Sequence, residues 1–437
     1  MDIKELYKLY QQHPCITTDS RNCPEGSIFL ALKGASFNGN QFALQALQQG
    51  CAYAIIDEKE YQTDERILLV DDCLQTYKDL AREHRRQFDI PVVGITGTNG
   101  KTTTKELIRA VLSECYNVMA TEGNFNNDVG VPKTLFRLSE EHDIAVVEMG
   151  ASHPGDIKTL VETAEPTCGL ITNVGRAHLQ GFGSFEGVCK TKGELYDFFR
   201  AHECPVFVNR DNEHLMKMTD GLADIYYYGQ SDNADILIRG EVISCAPFLK
   251  FRWREQDADA NYQSEWMEVQ THLIGAYNLD NMLAAITVGY VNNVPFEQIN
   301  HALENYIPTN NRSQLTETQT NHLIVDAYNA NPTSMKAAID NFRLMEVSPK
   351  MAILGMMGEL GDVSQEEHQK IIDMLATAGF DEVWLVGEAF EKTQSEFRTF
   401  HDVEEVKAAI AQAQPQHCYI LIKGSNSTKL FQLPELL

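Results

Sequence analysis

Residues 91–103 read Pro91-Val92-Val93-Gly94-Ile95-Thr96-Gly97-Thr98-Asn99-Gly100-Lys101-Thr102-Thr103, an apolar segment that leads into a glycine-containing loop. The apolar segment predicts a buried strand, and residues 101–115 predict the helix after the loop. In such a strand–loop–helix unit the glycines let backbone N–H groups point at phosphate oxygens, and the positive end of the helix adds to the attraction. Residues 97–103 therefore predict a phosphate-binding loop.

Two side chains of this loop are candidates for direct nucleotide chemistry. Lys101 would neutralise charge on the β- and γ-phosphates of ATP, and the Thr102 hydroxyl would ligate Mg²⁺. The strict pattern G-x-x-x-x-G-K-[ST] is not met, because Ile95 stands where the first glycine belongs. The loop is thus a variant, and the alternative is a glycine-rich turn with a purely structural purpose.

A carboxylate at the end of a neighbouring strand is expected to hold the same Mg²⁺, directly or through water. Residues 144–148 form an apolar run that ends in Glu148. We therefore predict Glu148 as the metal ligand. The alternative is a strand-end glutamate that is simply exposed to solvent.

The composition of the chain argues against several classes of function. The 437 residues carry a formal net charge of −26, from 62 acidic and 36 basic residues, which disfavours binding to nucleic acid or to an anionic membrane. The ten cysteines include no C-x-x-C pair, so a zinc or redox site is not indicated. No apolar run approaches the roughly 18 residues of a membrane span, and no signal peptide is recognisable. We expect a cytoplasmic protein without membrane insertion, and a monomer.

Changes in periodicity predict an α/β protein of three domains. Residues 1–88 mix short strands and helices. Residues 89–309 alternate apolar strands with helices, which is typical of a parallel sheet covered on both faces, and residues 225–275 alternate as in an antiparallel extension. Residues 310–437 form a second alternating unit, which predicts a smaller, Rossmann-like doubly wound domain.

Several further segments carry a resemblance to a known family. Together with the phosphate loop and Glu148-Met149-Gly150, they are similar to landmarks of the Mur ligases of peptidoglycan synthesis, in the same order and over nearly the whole chain. They are residues 173–184, 192–194, 275–285, 311–313 and 326–335. The resemblance implies an ATP-dependent ligase that activates a carboxylate as an acyl phosphate.

Within this family, the run Tyr328-Asn329-Ala330-Asn331-Pro332 is similar to members that add D-alanyl-D-alanine to UDP-N-acetylmuramoyl-tripeptide (UDP-MurNAc-tripeptide). Residues 358–361 with His368, and residues 423–425, support this subgroup. The resemblance implies that Tyr328, Asn329 and Asn331 contact substrate. The alternatives are another ligase of the superfamily, either diaminopimelate-adding or folylpolyglutamate-synthase-like, and a non-catalytic ATP-binding protein.

The resemblance also implies roles for residues outside the loop. His178 would bind a second Mg²⁺, and Lys192 would be carbamylated to become an oxygen ligand of that metal. Without the resemblance, the alternative for each residue is a structural role or exposure to solvent. ATP would lie between the second and third domains, so that domain closure completes the site. The implied ATP contacts are Asn278 and Asn281 to adenine, Arg312 to phosphates and Asp326 to ribose, where the alternatives are a helix cap for the asparagines and a turn-forming Asp326.

The remaining predicted contacts concern the nucleotide-peptide substrate. Ser20 and Arg21 resemble the family segment near the UDP moiety, and Arg21 could pair with pyrophosphate. A turn-forming role is the alternative for this segment. The family's loop facing the nucleotide-peptide is similar to residues 122–128, which contain Asn124, Asn126 and Asn127.

Overall fold

The structure is a computed structural model that describes residues 2–257, 262–308 and 314–437. Its N-terminal part contains short strands and three helices. In chain order they are α1 (Ile3–Gln12), β1 (Ile16–Thr17), β2 (Ile28–Leu30), β3 (Lys33–Gly34), β4 (Phe37–Asn38), α2 (Ala43–Gln48), β5 (Tyr53–Ile56), β6 (Ile67–Leu69) and α3 (Cys73–Arg85).

The central part alternates strands and helices before a run of longer strands. Its elements are β7 (Val92–Thr96), α4 (Lys101–Leu112), β8 (Val118–Ala120), α5 (Gly130–Leu135), β9 (Ile144–Glu148), α6 (Asp156–Ala164), β10 (Cys168–Ile171), α7 (Leu179–Phe182), α8 (Phe185–His202), β11 (Val206–Asn209), α9 (Glu213–Met216), β12 (Ile225–Gly229), β13 (Ile236–Cys245), β14 (Phe248–Asp257), β15 (Tyr262–Gln263), β16 (Met267–Ile274), α10 (Asn278–Val291) and α11 (Phe296–Asn305).

The C-terminal part repeats the alternation on a smaller scale. Its elements are β17 (Gln314–Glu317), β18 (His322–Asp326), α12 (Pro332–Leu344), β19 (Lys350–Gly355), α13 (Ser364–Leu375), β20 (Glu382–Val386), α14 (Glu388–Glu391), β21 (Arg398–Phe400), α15 (Val403–Gln412) and β22 (Tyr419–Lys423).

The chain folds into two compact units. The first comprises Met1–Gly94, Asn117–Gly150 and Lys158–Thr167, and the second Ile95–Tyr116, Ala151–Ile157 and Cys168–Leu437. The first unit contains a parallel sheet in the order β1-β2-β5-β6, over a core that includes Leu6, Ile55 and Leu80. It also contains the parallel pair β8 and β9, which ends at Glu148.

The second unit contains two sheets. In the first, β10, β11, β12 and β13 pair in parallel, whereas the pairs that β14 makes with β13 and β16 are antiparallel. The predicted antiparallel extension therefore begins only at β13, and residues 225–229 continue the parallel part. The other sheet has the order β17-β18-β22-β19-β20-β21, with only β17 antiparallel and an apolar cluster on each face, as a doubly wound arrangement requires.

The predicted α/β fold class is confirmed, and the strand predicted at residues 144–148 is β9. The predicted domain boundaries after residues 88 and 309 stay predictions. Within the described ranges, the helices are all too short or too polar to cross a membrane.

Candidate active site

The phosphate loop connects the end of β7 to the start of α4, and its two glycines have backbone conformations that other residues rarely adopt. Gly97 has φ +146° and Gly100 has φ +79°. A Cβ atom at Gly97 would lie 2.0 Å from Thr172 Oγ1, and one at Gly100 would lie 2.6 Å from Asn281 Oδ1. Glycine is therefore required at both positions by conformation and by space.

Neighbouring polar groups fix the shape of this loop. The Asn99 N–H donates to Asn173 Oδ1 (3.0 Å), and the Asn99 carbonyl accepts from Thr172 Oγ1 (2.6 Å) and Asn173 Nδ2 (3.0 Å). The Gly175 N–H donates to Thr98 Oγ1 at 2.9 Å. Hydrogen bonds from the segment that follows β10 thus hold the shape of the loop.

Lys101 is already directed back over the loop. Its Nζ donates to the carbonyls of Gly97 (2.8 Å) and Thr98 (3.1 Å). Gly100, the N-cap of α4, offers no side chain to accept from the first turn of the helix. A lysine, a curled backbone and a helix N-terminus therefore converge, which is the donor set that binds the phosphates of a nucleotide.

His178 and Lys192 lie in the electrostatic neighbourhood of Lys101. Burial lowers the pKa of His178, and the charges of Lys101 and Lys192 lower it further, against the opposing effect of Glu359. The neutral imidazole is the form that ligates metals. Lys192 is only 2% exposed, on α8, so a surface location for this residue is wrong. The structure thus brings together three of the predicted catalytic residues.

Glu148 belongs to the first compact unit and is 1% exposed, so the alternative of a solvent-exposed strand end is wrong. Its Oε1 accepts from Asn126 Nδ2 at 2.8 Å, and its backbone N–H donates to Thr121 Oγ1 at 3.0 Å. Asn126, which the resemblance assigns to substrate, therefore orients the carboxylate that we predict to hold a metal.

Residues from the C-terminal part touch the loop and the segment after β10. Asn331 Nδ2 donates to Asn99 Oδ1 at 2.8 Å, and the Arg176 N–H donates to Thr333 Oγ1 at 3.2 Å. Sequence reasoning assigned no role to Arg176 or Thr333, although both lie within the recognised segments 173–184 and 326–335. These contacts connect the C-terminal part directly to the phosphate loop.

Two charged contacts reinforce this connection. Arg176 pairs with Glu367 at 3.0 Å, and the Glu367 side chain is only 5% exposed. His178 Nδ1 hydrogen-bonds to Glu359, in the loop that follows β19. Glu367 was missed in the sequence, and Glu359 was given no role although it lies within the recognised segment 358–361. A glutamate in a polar segment gives no signal of its partner, which here lies 191 or 181 residues away.

The predicted adenine contacts, Asn278 and Asn281, are buried and bonded within the protein. Asn278 Nδ2 donates to the Ile274 carbonyl, and Asn281 Nδ2 donates to Asn278 Oδ1, both at 2.8 Å. Asn281 Oδ1 accepts from Thr104 Oγ1 at 3.0 Å. The helix-cap alternative is wrong, because Tyr277 is the N-cap and no side chain caps it. The adenine role stays a prediction.

The other predicted residues of the C-terminal part differ in exposure. Asp326 forms an ion pair with Lys423, which is 1% exposed, so this carboxylate already has a charged partner. Tyr328 is 39% exposed and Asn329 is exposed, whereas Asn331 caps α12 in a capping box with Ser334. Arg312 lies outside the described residues. The roles of these residues with ATP and substrate stay predictions.

The N-terminal candidates have local partners. Arg21 is 88% exposed and pairs with Asp19 at 2.9 Å, and the hydrogen bonds from Arg21 lower the pKa of Asp19 to about 2. Ser20 is half-buried beside them, and Asn124 is exposed. Asn127 Oδ1 accepts from the Gly130 N–H at 2.8 Å at the start of α5. Their contacts with a UDP-linked substrate stay predictions.

The described residues contain no group of three or more His, Cys, Asp and Glu side chains suited to a metal ion. The predicted ligands include a threonine hydroxyl and a modified lysine, which are not among these residue types, so the metal ligands stay a prediction.

Three family models match the chain. They are the Mur ligase family catalytic domain over residues 14–85, the Mur ligase middle domain over residues 95–289, and the Mur ligase glutamate ligase domain over residues 311–426. The chain belongs to the Mur ligase family. The family predicted from the sequence motifs is confirmed.

Curated relatives agree with this Mur ligase assignment. The UDP-N-acetylmuramoyl-tripeptide–D-alanyl-D-alanine ligase of Synechocystis is 33% identical, over 95% of this chain and 90% of its own length. The ligase of the same name from Escherichia coli is 32% identical, over 95% and 91%.

Solved structures give the same result. MurF from Acinetobacter baumannii superposes with a TM-score of 0.86 at 30% identity, covering 96% of this chain and 92% of its own. MurF from Thermotoga maritima in complex with ADP also gives 0.86, at 26% identity, covering 97% and 96%. The predicted fold of a three-domain Mur ligase is therefore confirmed.

Proposed function

We propose that this Mur ligase joins D-alanyl-D-alanine to UDP-MurNAc-tripeptide at the expense of ATP. The observation that carries the proposal is that His178 and Lys192 lie close to Lys101 of the phosphate loop. Binding ATP alone needs only the loop. A neutral histidine and a buried lysine beside it support ligation, in which two anions must be brought together. The relatives' printed activity supplies the two substrates.

The chain's residues suit the metals that this chemistry needs. Thr102 and Glu148 are proposed ligands of one Mg²⁺, and His178 with carbamylated Lys192 of a second. The fit rests on the neutral form of His178 and on the burial of Lys192, because a carbamate replaces a buried ammonium with anionic oxygen ligands. When bound, Mg²⁺ offsets the repulsion between ATP and the substrate carboxylate.

The proposed reaction has two steps. The terminal carboxylate of the tripeptide attacks the γ-phosphorus of ATP and releases ADP, while Lys101 and the loop N–H groups stabilise charge on the phosphates. The amine of D-alanyl-D-alanine then attacks the acyl phosphate. A tetrahedral intermediate loses phosphate and a proton to leave the amide.

The contacts between the C-terminal part and the loop support closure as part of this cycle. Asn331, Thr333 and Glu367 all bond to residues of the loop or of segment 173–184. An acyl phosphate hydrolyses if water reaches it, so a site completed by closure protects the intermediate. We also propose a cytoplasmic monomer, with domains at residues 1–88, 89–309 and 310–437.

A phosphate-release assay tests the proposal. Purified protein with ATP, Mg²⁺ and UDP-MurNAc-tripeptide is expected to release phosphate only when D-alanyl-D-alanine is added. Release with diaminopimelate or glutamate instead would identify another ligase of the superfamily. Binding of ATP without release under any of these conditions would identify a non-catalytic protein and overturn the proposal.

A further inference from the structure

The strands β13, β14 and β16 form an antiparallel extension, and one face of this extension carries positive charge. Along β14, buried residues alternate with cationic residues that point to the opposite face. The cationic residues are Lys250, Arg252 and Arg254. On β13, the strand partner of Arg252 is Glu241, and the strand partner of Arg254 is Arg239. This face is therefore rich in cations, in a chain whose formal net charge is −26.

Three arginine side chains of this face gather around Trp266, the residue before β16. The Cζ atoms of Arg239, Arg252 and Arg254 lie 5.8, 4.6 and 4.5 Å from the centroid of the Trp266 ring. A guanidinium within about 6 Å of an aromatic ring is attracted to it. We call these four side chains the arginine face. Tryptophan and arginine are also enriched at the energetic centres of protein interfaces, so this composition is typical of a binding surface.

The carboxylates near the arginine face bind Arg239 and Arg252 rather than Arg254. Glu241 lies 3.0 Å from Arg239 Nη2 and 2.7 Å from Arg252 Nη2. Arg239 also pairs with Asp232. Among the described residues, no acceptor and no carboxylate bonds to Arg254, whose Nε is buried without a partner. The Arg254 guanidinium thus contacts the Trp266 ring but has no anion.

The pairing of Arg239 with Arg254 is unfavourable for the sheet itself. Like charges directly opposite each other on neighbouring strands are destabilising, and the Nε atoms of both arginines are buried without a partner in the described structure. An arginine can pack on tryptophan without such a pair. Arg398 lies 5.1 Å from the ring of Trp384, and this uncharged residue is its strand partner. An anion at the arginine face would offset the repulsion, and unfavourable local arrangements are expected at functional sites.

We propose that the arginine face is a docking site for an acidic segment of a partner protein, with a carboxylate of that segment bound between Arg254 and Arg239. The two Nη groups of Arg254 can donate to both carboxylate oxygens. Glu241 and Glu268 interrupt the positive charge of the face, so it does not complement the continuous negative charge of nucleic acid or of an anionic membrane. Trp266 is half-buried and offers apolar surface beside the charges, which a peptide contacts and an inorganic anion does not.

The docking site is remote from the predicted ATP contacts. Trp266 and Ile274 are eight positions apart along β16, and the Ile274 carbonyl accepts from Asn278 Nδ2. At roughly 3.3 Å per residue this separation is about 26 Å. A partner on the arginine face therefore leaves the ATP contacts open. The inference goes beyond the proposed function and does not depend on it.

Fluorescence anisotropy with a labelled acidic peptide tests the site. The probe is a fluorescein-labelled peptide of Glu, Ala and Leu residues, and the control peptide carries Lys in place of Glu. The full-length wild-type protein is expected to bind the acidic peptide and not the basic one. Arg254→Gln should weaken binding about tenfold, as for loss of a hydrogen bond between charged groups. Arg254→Lys should bind with intermediate affinity, because lysine keeps the charge but not the paired donors.

Arg398→Gln is the matched control, because Arg398 also packs on a tryptophan but has no arginine opposite it. It should leave peptide binding unchanged. Thermal unfolding separates docking from a structural role of Arg254. Arg254→Gln removes the like-charge pair and one buried Nε, so its unfolding midpoint is expected to equal or exceed that of wild type. A residue that only supports the sheet would give a lower midpoint and unchanged peptide binding.

Three results would overturn the docking site. The first is equal affinity of wild type and Arg254→Gln for the acidic peptide, and the second is no binding by wild type. The third is displacement of the peptide by inorganic phosphate at an ionic strength at which chloride does not displace it. That result would identify a site for small oxyanions instead. None of these measurements requires turnover, so they stand whether or not the protein ligates D-alanyl-D-alanine.

Discussion

The phosphate loop and the cavity of about 630 Å³ at the carboxyl ends of β19, β20, β21 and β22 belong to the same compact unit but are built differently. In the loop, the Asn99 N–H donates to Asn173 and the Asn99 carbonyl accepts from Thr172 and Asn173. A Cβ atom at Gly97 or Gly100 would collide with its neighbours. In the cavity, the charged lining residues Asp362 and Lys429 are exposed to solvent. Bond making requires fixed geometry, and the loop is the region whose shape is held by hydrogen bonds and close packing.

The largest expected effect is at Lys101. Lys101→Met should lower kcat for phosphate release about a thousandfold, because transferring phosphoryl groups depend on fixed positive charge. The midpoint of thermal unfolding should stay close to that of wild type, and binding of UDP-MurNAc-tripeptide should be retained. Turnover within tenfold of wild type would show that the loop lysine is not part of the reaction.

The second-largest effect is expected at Gly100, and a comparison with Gly379 separates the effect of loop shape on kcat from the effect of backbone strain on stability. Gly100 and Gly379 have similar conformations, with φ +79° and +72°, but a Cβ atom would meet Asn281 at Gly100 and nothing within 4 Å at Gly379. The left-handed backbone alone should make either alanine substitution cost about 1–2 kcal/mol of unfolding free energy. The contact with Asn281 adds to this cost at Gly100. Only Gly100→Ala should also lower kcat, by about a hundredfold, because a small displacement of the loop misplaces the phosphates.

Equal activity of Gly100→Ala and Gly379→Ala, measured beside their denaturant unfolding curves, would contradict the fixed geometry that we assign to the loop. It would mean that the loop tolerates displacement.

A smaller effect is expected where the C-terminal part bonds to the loop. Asn331→Ser keeps a good N-cap for α12 but is too short to reach Asn99, so one neutral hydrogen bond of about 1 kcal/mol is lost. KM for ATP should rise about fivefold. Asp72→Ser, which alters the cap of α3, is the control for the stability cost of a cap substitution. If both variants changed KM for ATP alike, the Asn331 contact would have no specific role.

The smallest effect is the pH dependence of stability that comes from His368 in α13. Buried His368 accepts from the Met357 N–H at Nε2 (2.9 Å) and donates to the Ser364 carbonyl from Nδ1 (2.7 Å). Burial lowers its pKa, so the unfolded chain binds a proton that the folded chain does not. Its contribution to stability is therefore complete above pH ~6.5 and declines as the pH falls below that value.

Thermal unfolding at pH 7.5 and pH 5.5 measures this decline. Wild type is expected to lose more stability between the two pH values than His368→Gln, whose side chain does not titrate. An equal loss in both proteins would assign the pH dependence to other groups, such as buried His84 in the first compact unit, whose pKa is also lowered by burial.

The sequence predicted the loop and the strands well because both depend on local patterns. The glycines of the loop and the apolar run before them can be recognised from the local sequence alone. The strand β9 lies at the residues where the apolar pattern predicted it. The sequence could not show that Lys192 is buried, because a single lysine has no periodicity. Likewise, the hydrogen bonds from Asn126 to Glu148 and from Asn331 to Asn99 join residues that are 22 and 232 positions apart in the sequence. Only the folded structure shows such pairs.

The cavity also lay beyond sequence reasoning. Asp362 and Lys429 are 67 residues apart, and each stands in a polar segment after a strand. Only the parallel arrangement of β19 and β22 brings these two strand ends to the same edge of the sheet.

Transfer of oxygen-18 from substrate to phosphate tests the central claim most directly. UDP-MurNAc-tripeptide labelled in both oxygens of its terminal carboxylate is incubated with ATP, Mg²⁺, D-alanyl-D-alanine and the protein, and the released phosphate is examined by mass spectrometry. An acyl phosphate formed at the loop predicts one labelled oxygen in each phosphate and ADP as the nucleotide product. Unlabelled phosphate, or label in AMP, would contradict phosphoryl transfer to the carboxylate.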